Sequence, residues 1–558
     1  MANILTPLSL WNDFNDLLDI DAKTVAKKES GTISVERVEF SGRQTDNGRV
    51  IIAAAFAWNT NEPSAETVLV LPDSNDTIDE KVLEYFVSKG YSALMVDYRG
   101  QSEGCEFYTR YPEDIEYANA LKCGRHKDFV DDSADKTSWY EWVIVGLYAR
   151  KYIKERTGSE NIAVVGFRDG GEIAWKLGVA GKFSCIVPIC AAGWSAYRGI
   201  SKYITQDPKM DDERYRFIAG IDSQAYAPYV KCPVLLLCST NDKRFDYDRA
   251  YDTFSRINPE FVKDSFISYS MFTNSYIDIK SCENMFIFLD KNLGKREITL
   301  PKPAEILVEA DEQQNLVAKV ILEDVEGLEE CVMYLSEDCL NSSLREWNIC
   351  PVKEKVSDAE RLFYLNIYEK ASTIFALCHA KYDNGFTVWS KIIVRKLNGK
   401  FRNMVKKNRV LYANAYGLEG FYLSDTKNYT VGGLLINDEN CLTKLVEKAR
   451  GIKGLYSPCG LTSFRLNNPV YAPNTGNVLS VDVFCDKSEN VNIIFTDCET
   501  GEEFSAIFST VGGVWQKIIA ESKVFKNANG VSLDTFEKEL KLTINSLSPF
   551  AINNFIWL

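Results

Sequence analysis

The chain has 558 residues, 46% hydrophobic and 25% charged, a composition that is typical of a folded multidomain protein and excludes a disordered or fibrous one. Its 64 basic and 78 acidic residues give a formal net charge of −14, so we expect no binding to the phosphate backbone of nucleic acids. No uninterrupted run of about 20 apolar residues occurs, so the sequence predicts no membrane-spanning helix and no membrane partner.

The cysteine and histidine contents limit the chemistry available to the chain. The 15 cysteines are scattered singly and include no C-x-x-C pair, which argues against a zinc ribbon or a thioredoxin-like redox motif. Such cysteines are typical of a reducing compartment, and the first 21 residues do not resemble a secretion signal, so we expect a cytoplasmic protein. Only two histidines occur, His126 and His379, and we predict no metal site and no cofactor.

Between residues 51 and 293, short apolar runs alternate with amphipathic stretches. Runs such as 67–71 and 162–165 have the continuous apolar character of strands that are buried on both faces of a parallel sheet. The stretches between them, for example 139–156, have helical periodicity. This alternation predicts a doubly wound α/β sheet in a domain that spans residues 1–296.

After this domain the pattern changes to short alternating runs with few helical stretches. Residues 300–397 predict an immunoglobulin-like β-sandwich, and residues 408–558, which follow a basic connector, predict a second, jelly-roll-like sandwich. The strand pattern of the second resembles that of carbohydrate-binding modules. The aromatic residues there that could stack on a sugar are Tyr422, Tyr429, Tyr456 and Trp515. A structural role for this domain, such as mediating a dimer, remains an equal alternative.

Residues 161–176 carry the most informative motif of the chain. An apolar strand leads into the sequence GFRDGG at 166–171 and then directly into a helical pattern. This is the layout of a nucleophile elbow, in which glycines permit a strained turn that presents one side chain at the head of a helix. Over residues 35–294 the chain therefore resembles the α/β-hydrolase superfamily, in particular its acetyl-xylan-esterase-like and dipeptidyl-peptidase-like members.

The resemblance implies positions for the catalytic triad, and two of them have changed. Arg168 stands at the nucleophile position, Ser275 stands where the family carries its histidine, and Asp242 retains the acid. A guanidinium stays protonated at neutral pH, so it is neither a nucleophile nor a base. We therefore predict that the Ser-His-Asp reaction is absent.

Three other groups remain as candidates for a hydrolytic reaction. Asp169 is a candidate for a shifted nucleophile, but Phe167 occupies a position that favours a small residue. Cys190 follows an apolar run and is more typical of a core residue than of a thiolate. His126 lies in a charged segment, where a surface position is the simpler interpretation, and His379 lies in the sandwich pattern and is interpreted as structural.

Arg168 at the start of a helix also suggests an anion receptor for a carboxylate, a phosphate or a uronic acid. The simpler alternative is an ion pair of Arg168 with Asp242 or Glu172 that fills an inactive site. Residues 97–119 mix aromatic and acidic side chains in a way that suits a sugar, although an ordinary cap segment explains them equally well. The predicted ligand contacts are Arg168, Asp169, Glu172, Asp97, Tyr98, Tyr111, Trp139 and Asp242.

These observations favour a catalytically degenerate α/β-hydrolase-fold protein that binds a ligand or serves as a scaffold. The expected ligand is a small molecule, either a carbohydrate or a carboxylate. Two alternatives stay open: an active esterase or deacylase of acylated saccharides or peptides with a non-standard site, and a structural assembly protein. The sequence leaves both the enzymatic status and homo-oligomer formation undecided.

Overall fold

The computed structural model of the chain describes residues 6–12, 14–122, 127, 129–204, 207–424, 430–435, 443–458 and 460–558. The chain divides into two compact units. Unit 1 consists of residues 1–301 with the two short segments 381–389 and 431–434, and unit 2 consists of residues 302–380, 390–430 and 435–558. The two predicted β-domains, 300–397 and 408–558, thus fall largely within one unit.

Unit 1 is built on a nine-stranded mixed sheet. Its strands are β1 (Lys23–Ser30), β2 (Ile33–Thr45), β3 (Gly48–Asn59), β4 (Thr67–Leu71), β5 (Ser92–Val96), β6 (Ile162–Phe167), β7 (Cys185–Ile189), β8 (Leu235–Ser239) and β9 (Phe266–Ser270). Their order in the sheet is β1-β2-β3-β5-β4-β6-β7-β8-β9. The first three strands and the β3–β5 pair are antiparallel, and the strands from β5 to β9 run parallel to one another.

Helices connect the parallel strands, as the alternating pattern predicts. They are α1 (Glu80–Ser88), α2 (Ser138–Thr157), α3 (Asp169–Ala180), α4 (Asp212–Gly220), α5 (Tyr247–Phe254), α6 (Pro259–Val262) and α7 (Ile279–Asn292). Several begin at a side chain that accepts a hydrogen bond from the first turn, for example Asp79 before α1 and Thr137 before α2. Every residue of β4 to β9 is buried, which explains their continuous apolar runs. The predicted α/β sheet is confirmed.

The chain beyond unit 1 is rich in strands and contains no α-helix among the described residues. The strands of the first part are β10 (Glu305–Ala310), β11 (Leu316–Ile321), β12 (Leu328–Glu337), β13 (Asn348–Ile349), β14 (Val352–Lys355), β15 (Glu360–Tyr364), β16 (Thr373–Tyr382), β17 (Thr387–Trp389) and β18 (Ile393–Lys396). Strands β10, β11, β15 and β14 form one sheet, and β13, β12, β16 and β18 belong to a second. This part of unit 2 is therefore made of β-sheets, as predicted.

The last part of the chain contributes two larger sheets. Its strands are β19 (Val410–Tyr412), β20 (Tyr422–Leu423), β21 (Thr430–Val431), β22 (Leu434–Leu435), β23 (Lys444–Glu447), β24 (Lys453–Ser457), β25 (Leu461–Ser463), β26 (Leu479–Cys485), β27 (Glu489–Asp497), β28 (Glu503–Thr510), β29 (Trp515–Ala520), β30 (Leu540–Ser546) and β31 (Phe550–Trp557). One sheet has the order β23-β24-β31-β26-β29 with β19 beside β31, and the other has the order β20-β25-β30-β27-β28. Buried side chains from both sheets, such as Val483, Ile493, Ile544 and Ile552, form one core.

Two short segments from this later part of the chain pack into unit 1. In the first, the amide of Asn284 on α7 accepts from Thr387 N–H and donates to Thr387 C=O, both at 2.8 Å. In the second, Gly433 C=O accepts a hydrogen bond of 2.9 Å from Ile277 N–H, close to the loop that follows β9. None of the helices in the described residues is long and apolar enough to cross a membrane.

Candidate functional site

The predicted elbow is a sharp turn between β6 and α3. Arg168 occupies the turn with φ 49° and ψ −110°, a conformation that is costly for any residue other than glycine. The neighbouring glycines are required by close packing. A Cβ atom on Gly170 would overlap the carbonyl oxygen of Leu71, and one on Gly166 would overlap that of Gly170. The turn therefore has the strained geometry that the glycine pattern predicts.

The guanidinium of Arg168 binds the loop after β4. Its Nη1 lies 3.3 Å from Asp73 Oδ2, and its Nη2 donates to the carbonyl oxygen of Ser275 at 2.8 Å. The ion pair that we expected with Asp242 or Glu172 is thus replaced by one with Asp73. The physical reason is the sheet order: β4 is the direct neighbour of β6, so the loop after β4 reaches the elbow first.

Arg168 keeps its charge and part of its surface. Burial disfavours the charged form, but the nearby carboxylates of Asp73 and Asp242 raise the pKa of Arg168 above its ordinary value. The side chain remains 27% exposed. A permanently charged, partly accessible guanidinium therefore stands at the sharp turn between β6 and α3.

Asp73 is shared by a second arginine that the sequence analysis missed. Arg244 Nη1 lies 3.7 Å from the same Asp73 Oδ2, and the Arg244 side chain is 35% exposed. The other oxygen of Asp73 accepts from the backbone N–H of Ser74 at 2.9 Å and of Asp169 at 3.4 Å. Arg244 lies two residues after Asp242 in the sequence, so its proximity to a predicted site residue was the available signal.

Asp169 is a fully buried carboxylate that holds two further cations. Arg198 Nη2 lies 2.7 Å from its Oδ1, Lys127 Nζ lies 3.0 Å from its Oδ2, and the Ser74 hydroxyl donates to that same oxygen. Burial alone would raise the pKa of Asp169, but the charges of Arg198 and Lys127 outweigh it and hold the pKa well below its usual range. A carboxylate so shielded and paired is a poor nucleophile, which argues against the shifted-nucleophile alternative.

Asp242 and Ser275, at the positions predicted for the acid and the histidine of a triad, lie in contact in the structure. Ser275 Oγ donates to Asp242 Oδ2 at 3.1 Å, while the other carboxylate oxygen accepts from the N–H groups of Arg244 and Phe245 at 2.7 and 3.0 Å. Burial raises the pKa of Asp242 despite these hydrogen bonds. A serine hydroxyl in this place offers no basic nitrogen that would accept a proton from a nucleophile.

The remaining catalytic candidates are Cys190 and the two histidines. Cys190 Sγ lies 3.3 Å from Ser239 Oγ, and burial raises the pKa of the Cys190 thiol to about 12, so it stays protonated at neutral pH. His379 lies on β16 in unit 2, where its Nε2 is 3.5 Å from Glu330 Oε2. His126 lies outside the described residues.

Several predicted ligand contacts are core residues with partners inside the protein. Glu172, Asp97, Tyr98 and Trp139 are at most 3% exposed, and Tyr111 is half-buried. Their hydrogen bonds join Glu172 Oε1 to Gly193 N–H, Asp97 to the N–H groups of Gly100 and Thr109, Tyr98 hydroxyl to Pro72 C=O, Tyr111 hydroxyl to Tyr98 C=O, and Trp139 Nε1 to Lys127 C=O. The structure thus groups Arg168, Asp169 and Asp242 at the elbow and places the other five in or beside the core.

Elsewhere in the described residues, neither a metal site nor a sugar-binding surface is evident. No group of three or more His, Cys, Asp or Glu side chains there is arranged to hold a metal ion. Of the aromatic candidates in the last domain, Tyr422 donates to Glu346 at 3.1 Å, whereas Tyr456 and Trp515 lie on two strands of one sheet, β24 and β29. Tyr429 lies outside the described residues.

Comparisons with known proteins give distant structural neighbours only. No protein-family model and no curated protein matches the chain. Acetyl xylan esterase 1 from Thermoanaerobacterium sp. JW/SL YS485 is similar with 15% identity and a TM-score of 0.39, over 51% of this chain and 92% of the esterase. The acetyl xylan esterase from Paenibacillus sp. R4 has 16% identity and a TM-score of 0.39, over 51% of this chain and 91% of its own.

A third neighbour is a putative dienelactone hydrolase from Klebsiella pneumoniae subsp. pneumoniae MGH 78578. It has 10% identity and a TM-score of 0.33, over 48% of this chain and all of its own length. The α/β architecture of unit 1 is evident from its own sheet order and from the turn at Arg168. Because one fold supports many functions, the function of this chain depends on the chemistry of its site.

Proposed function

We propose that unit 1 is an α/β-hydrolase-like domain without serine-hydrolase activity, and that its elbow binds a carboxylate ligand, uronic acids included. The observation that carries this proposal is the partly exposed guanidinium of Arg168 at the nucleophile position. A guanidinium has five N–H donors, and two of those of Arg168 have acceptors among the described residues. The free donors suit a two-pronged contact with a carboxylate.

The charge balance at the elbow supports an anionic ligand. Four cationic side chains meet three buried carboxylates there: Arg168, Arg244, Arg198 and Lys127 against Asp73, Asp169 and Asp242. Asp76 also faces Arg168, and burial and the charge of Asp73 raise the pKa of Asp76. The start of α3 adds the positive end of a helix dipole.

Ligand binding at Arg168 is tested by thermal denaturation of the full chain with glucuronate, galacturonate and acetate. We expect a carboxylate to raise the melting temperature, and Arg168→Ala to weaken the affinity at least about tenfold, the effect of losing one charge-assisted contact. Arg110→Ala is the matched control, because Arg110 forms a surface ion pair with Glu39 in the same unit. Equal binding by wild type and Arg168→Ala would refute the proposal, as would the lack of any carboxylate effect.

The lost triad is tested by restoring it. Because Asp242 already accepts a hydrogen bond from residue 275, the double variant Arg168→Ser/Ser275→His should hydrolyse p-nitrophenyl acetate at least about tenfold faster than the wild type. Arg168→Ser alone should stay at the buffer rate, as should Arg168→Ala/Ser275→His, which has the base without the nucleophile. Turnover by Arg168→Ser alone would show that the protein possesses a base that we have not assigned.

An active hydrolase with a non-standard site remains the second candidate, and His126 is its most direct test. If the wild type hydrolyses acylated saccharides and His126→Ala does not, the protein is an active hydrolase that uses His126 in a non-standard site. For unit 2 we propose immunoglobulin-like and jelly-roll-like domains with a scaffolding role, in a cytoplasmic protein. Light scattering of the full chain tests whether that role includes a homo-oligomer.

A further inference from the structure

Two cysteines of unit 2 lie side by side on neighbouring strands. Cys331 on β12 and Cys378 on β16 have their Sγ atoms 3.7 Å apart, and the two strands are adjacent in their sheet. Both are free thiols in the structure. A disulfide bond requires a sulfur–sulfur distance of about 2 Å. Because the two side chains already touch, only a small movement is needed to form one.

We propose that Cys331 and Cys378 form a redox-active dithiol, a modification site for small disulfides of the glutathione class. This inference is independent of the function proposed for the elbow, since both residues belong to unit 2. Cys331 is half-buried and is the member that a solute reaches, whereas Cys378 is fully buried. Because a solute reaches only Cys331, this cysteine should react first and Cys378 second.

The electrostatics of the pair agree with that order. A hydrogen bond from Cys378 lowers the pKa of the Cys331 thiol, and the charge of Arg361 acts in the same direction against the effect of burial. The same hydrogen bond together with burial raises the pKa of Cys378. Cys331 is thus the better attacking thiolate while both thiols are reduced.

The reaction proceeds by two exchanges. In the first, the Cys331 thiolate attacks one sulfur of glutathione disulfide, whose S–S bond breaks, so that one glutathione leaves and a mixed disulfide forms. In the second, Cys378 loses its proton to water and attacks Cys331 Sγ, and the second glutathione leaves as a thiolate that takes up a proton. The protein dithiol is oxidised by two electrons, and the small disulfide is reduced to two thiols.

The proposal is tested on the reduced full chain in buffers of graded glutathione to glutathione-disulfide ratio. Samples are quenched in acid, alkylated and mapped by mass spectrometry. We expect a Cys331–Cys378 crosslink in the wild type, a persistent glutathionyl adduct on Cys331 in Cys378→Ser, and at least about tenfold less modification of Cys378 in Cys331→Ser. Cys350→Ser is the matched control, because Cys350 is a buried neighbour in the same unit, and it should leave the crosslink unchanged.

Two outcomes would overturn the inference. One is a wild type that accumulates the Cys331 adduct without the crosslink, even at the most oxidising ratio. The other is modification of Cys378 at an unchanged rate in Cys331→Ser. The wild-type map decides the first outcome without any variant, so a variant that fails to fold does not leave the question open. A sample unfolded in urea, in which both thiols react alike, shows that the protection of Cys378 comes from the fold.

Discussion

Replacing Arg465 with leucine is expected to lower the free energy of unfolding by about 3–5 kcal/mol, because it leaves a buried carboxylate without its cation. Arg465 and Glu346 are 2% and 1% exposed, and Arg465 Nε lies 3.5 Å from Glu346 Oε1. The Tyr422 hydroxyl donates to that same oxygen at 3.1 Å. Among the described residues, the Tyr422 hydroxyl is then the remaining hydrogen-bond donor to the Glu346 carboxylate.

The position of the Arg465–Glu346 ion pair explains why its loss should lower the free energy of unfolding strongly. Glu346 belongs to the first β-region of unit 2, and Arg465 and Tyr422 belong to the second, so the pair ties the two regions together. The guanidinium also donates to the Leu411 carbonyl oxygen. It passes so close to Gly420 that a Cβ atom there would overlap it. The site is therefore built around arginine and does not readily accept another side chain.

The loss of unfolding free energy in Arg465→Leu should depend on pH. Burial raises the pKa of Glu346 to about 7, although Arg465 lowers it. The folded protein therefore binds more protons than the unfolded chain between about pH 4.5 and 7, and this group makes the protein less stable as pH rises through that window. Without Arg465 the pKa of Glu346 rises further. Arg465→Leu should therefore lower the free energy of unfolding more at about pH 8.5 than at about pH 5.5, where the Glu346 carboxyl group is neutral.

Urea unfolding at the two pH values measures this effect. The double variant Arg465→Leu/Glu346→Gln should recover much of the stability at about pH 8.5, because no buried charge remains. Lys517→Leu is the control, since Lys517 forms an exposed pair with Asp482 and should cost less than about 1 kcal/mol. This account would be contradicted if Arg465→Leu lost equal unfolding free energy at both pH values, or if the double variant were no more stable than Arg465→Leu.

The sequence predicts the sheet of unit 1 well because burial on both faces is a local property of each strand. The predicted run 67–71 coincides with β4, and 162–165 lies within β6. The elbow was predictable for the same reason, since its glycines lie within six residues of one another. Local composition is enough to predict an element when all the residues that define it lie in one short segment.

The partners of the elbow residues were not predictable in this way. Arg168 and Asp73 are 95 residues apart, and only the order of β4 and β6 in the sheet brings them together. Tyr98 and Trp139 were expected at a ligand surface, but an aromatic side chain in a core and one in a cleft have the same sequence signature. The choice between these roles depends on tertiary packing, which a single sequence does not show.

The second large effect is expected at Asp169, where Asp169→Asn should cost about 3 kcal/mol of unfolding free energy. The variant leaves Arg198 and Lys127, at 19% and 21% side-chain exposure, without their shared carboxylate. An amide matches the carboxylate in shape but brings no charge. Both cations keep only a small exposed fraction, so water replaces the lost negative charge only in part.

Here the pH dependence should differ from that of the Glu346 pair. Because the pKa of Asp169 is held below its usual range, its stabilisation is complete above the unfolded value of about 3.9 and is lost only as pH falls through the lower folded value. Urea unfolding should therefore give the same Asp169→Asn loss at about pH 5.5 and 8.5. Asp242→Asn is the matched control, because the hydrogen bonds to the Asp242 carboxylate come from backbone N–H groups and the Ser275 hydroxyl, not from a cation. We expect it to lower the free energy of unfolding by less than about 1.5 kcal/mol. A loss at Asp169 no larger than at Asp242, or one that vanishes at about pH 5.5, would mean that its two ion pairs do not stabilise the elbow.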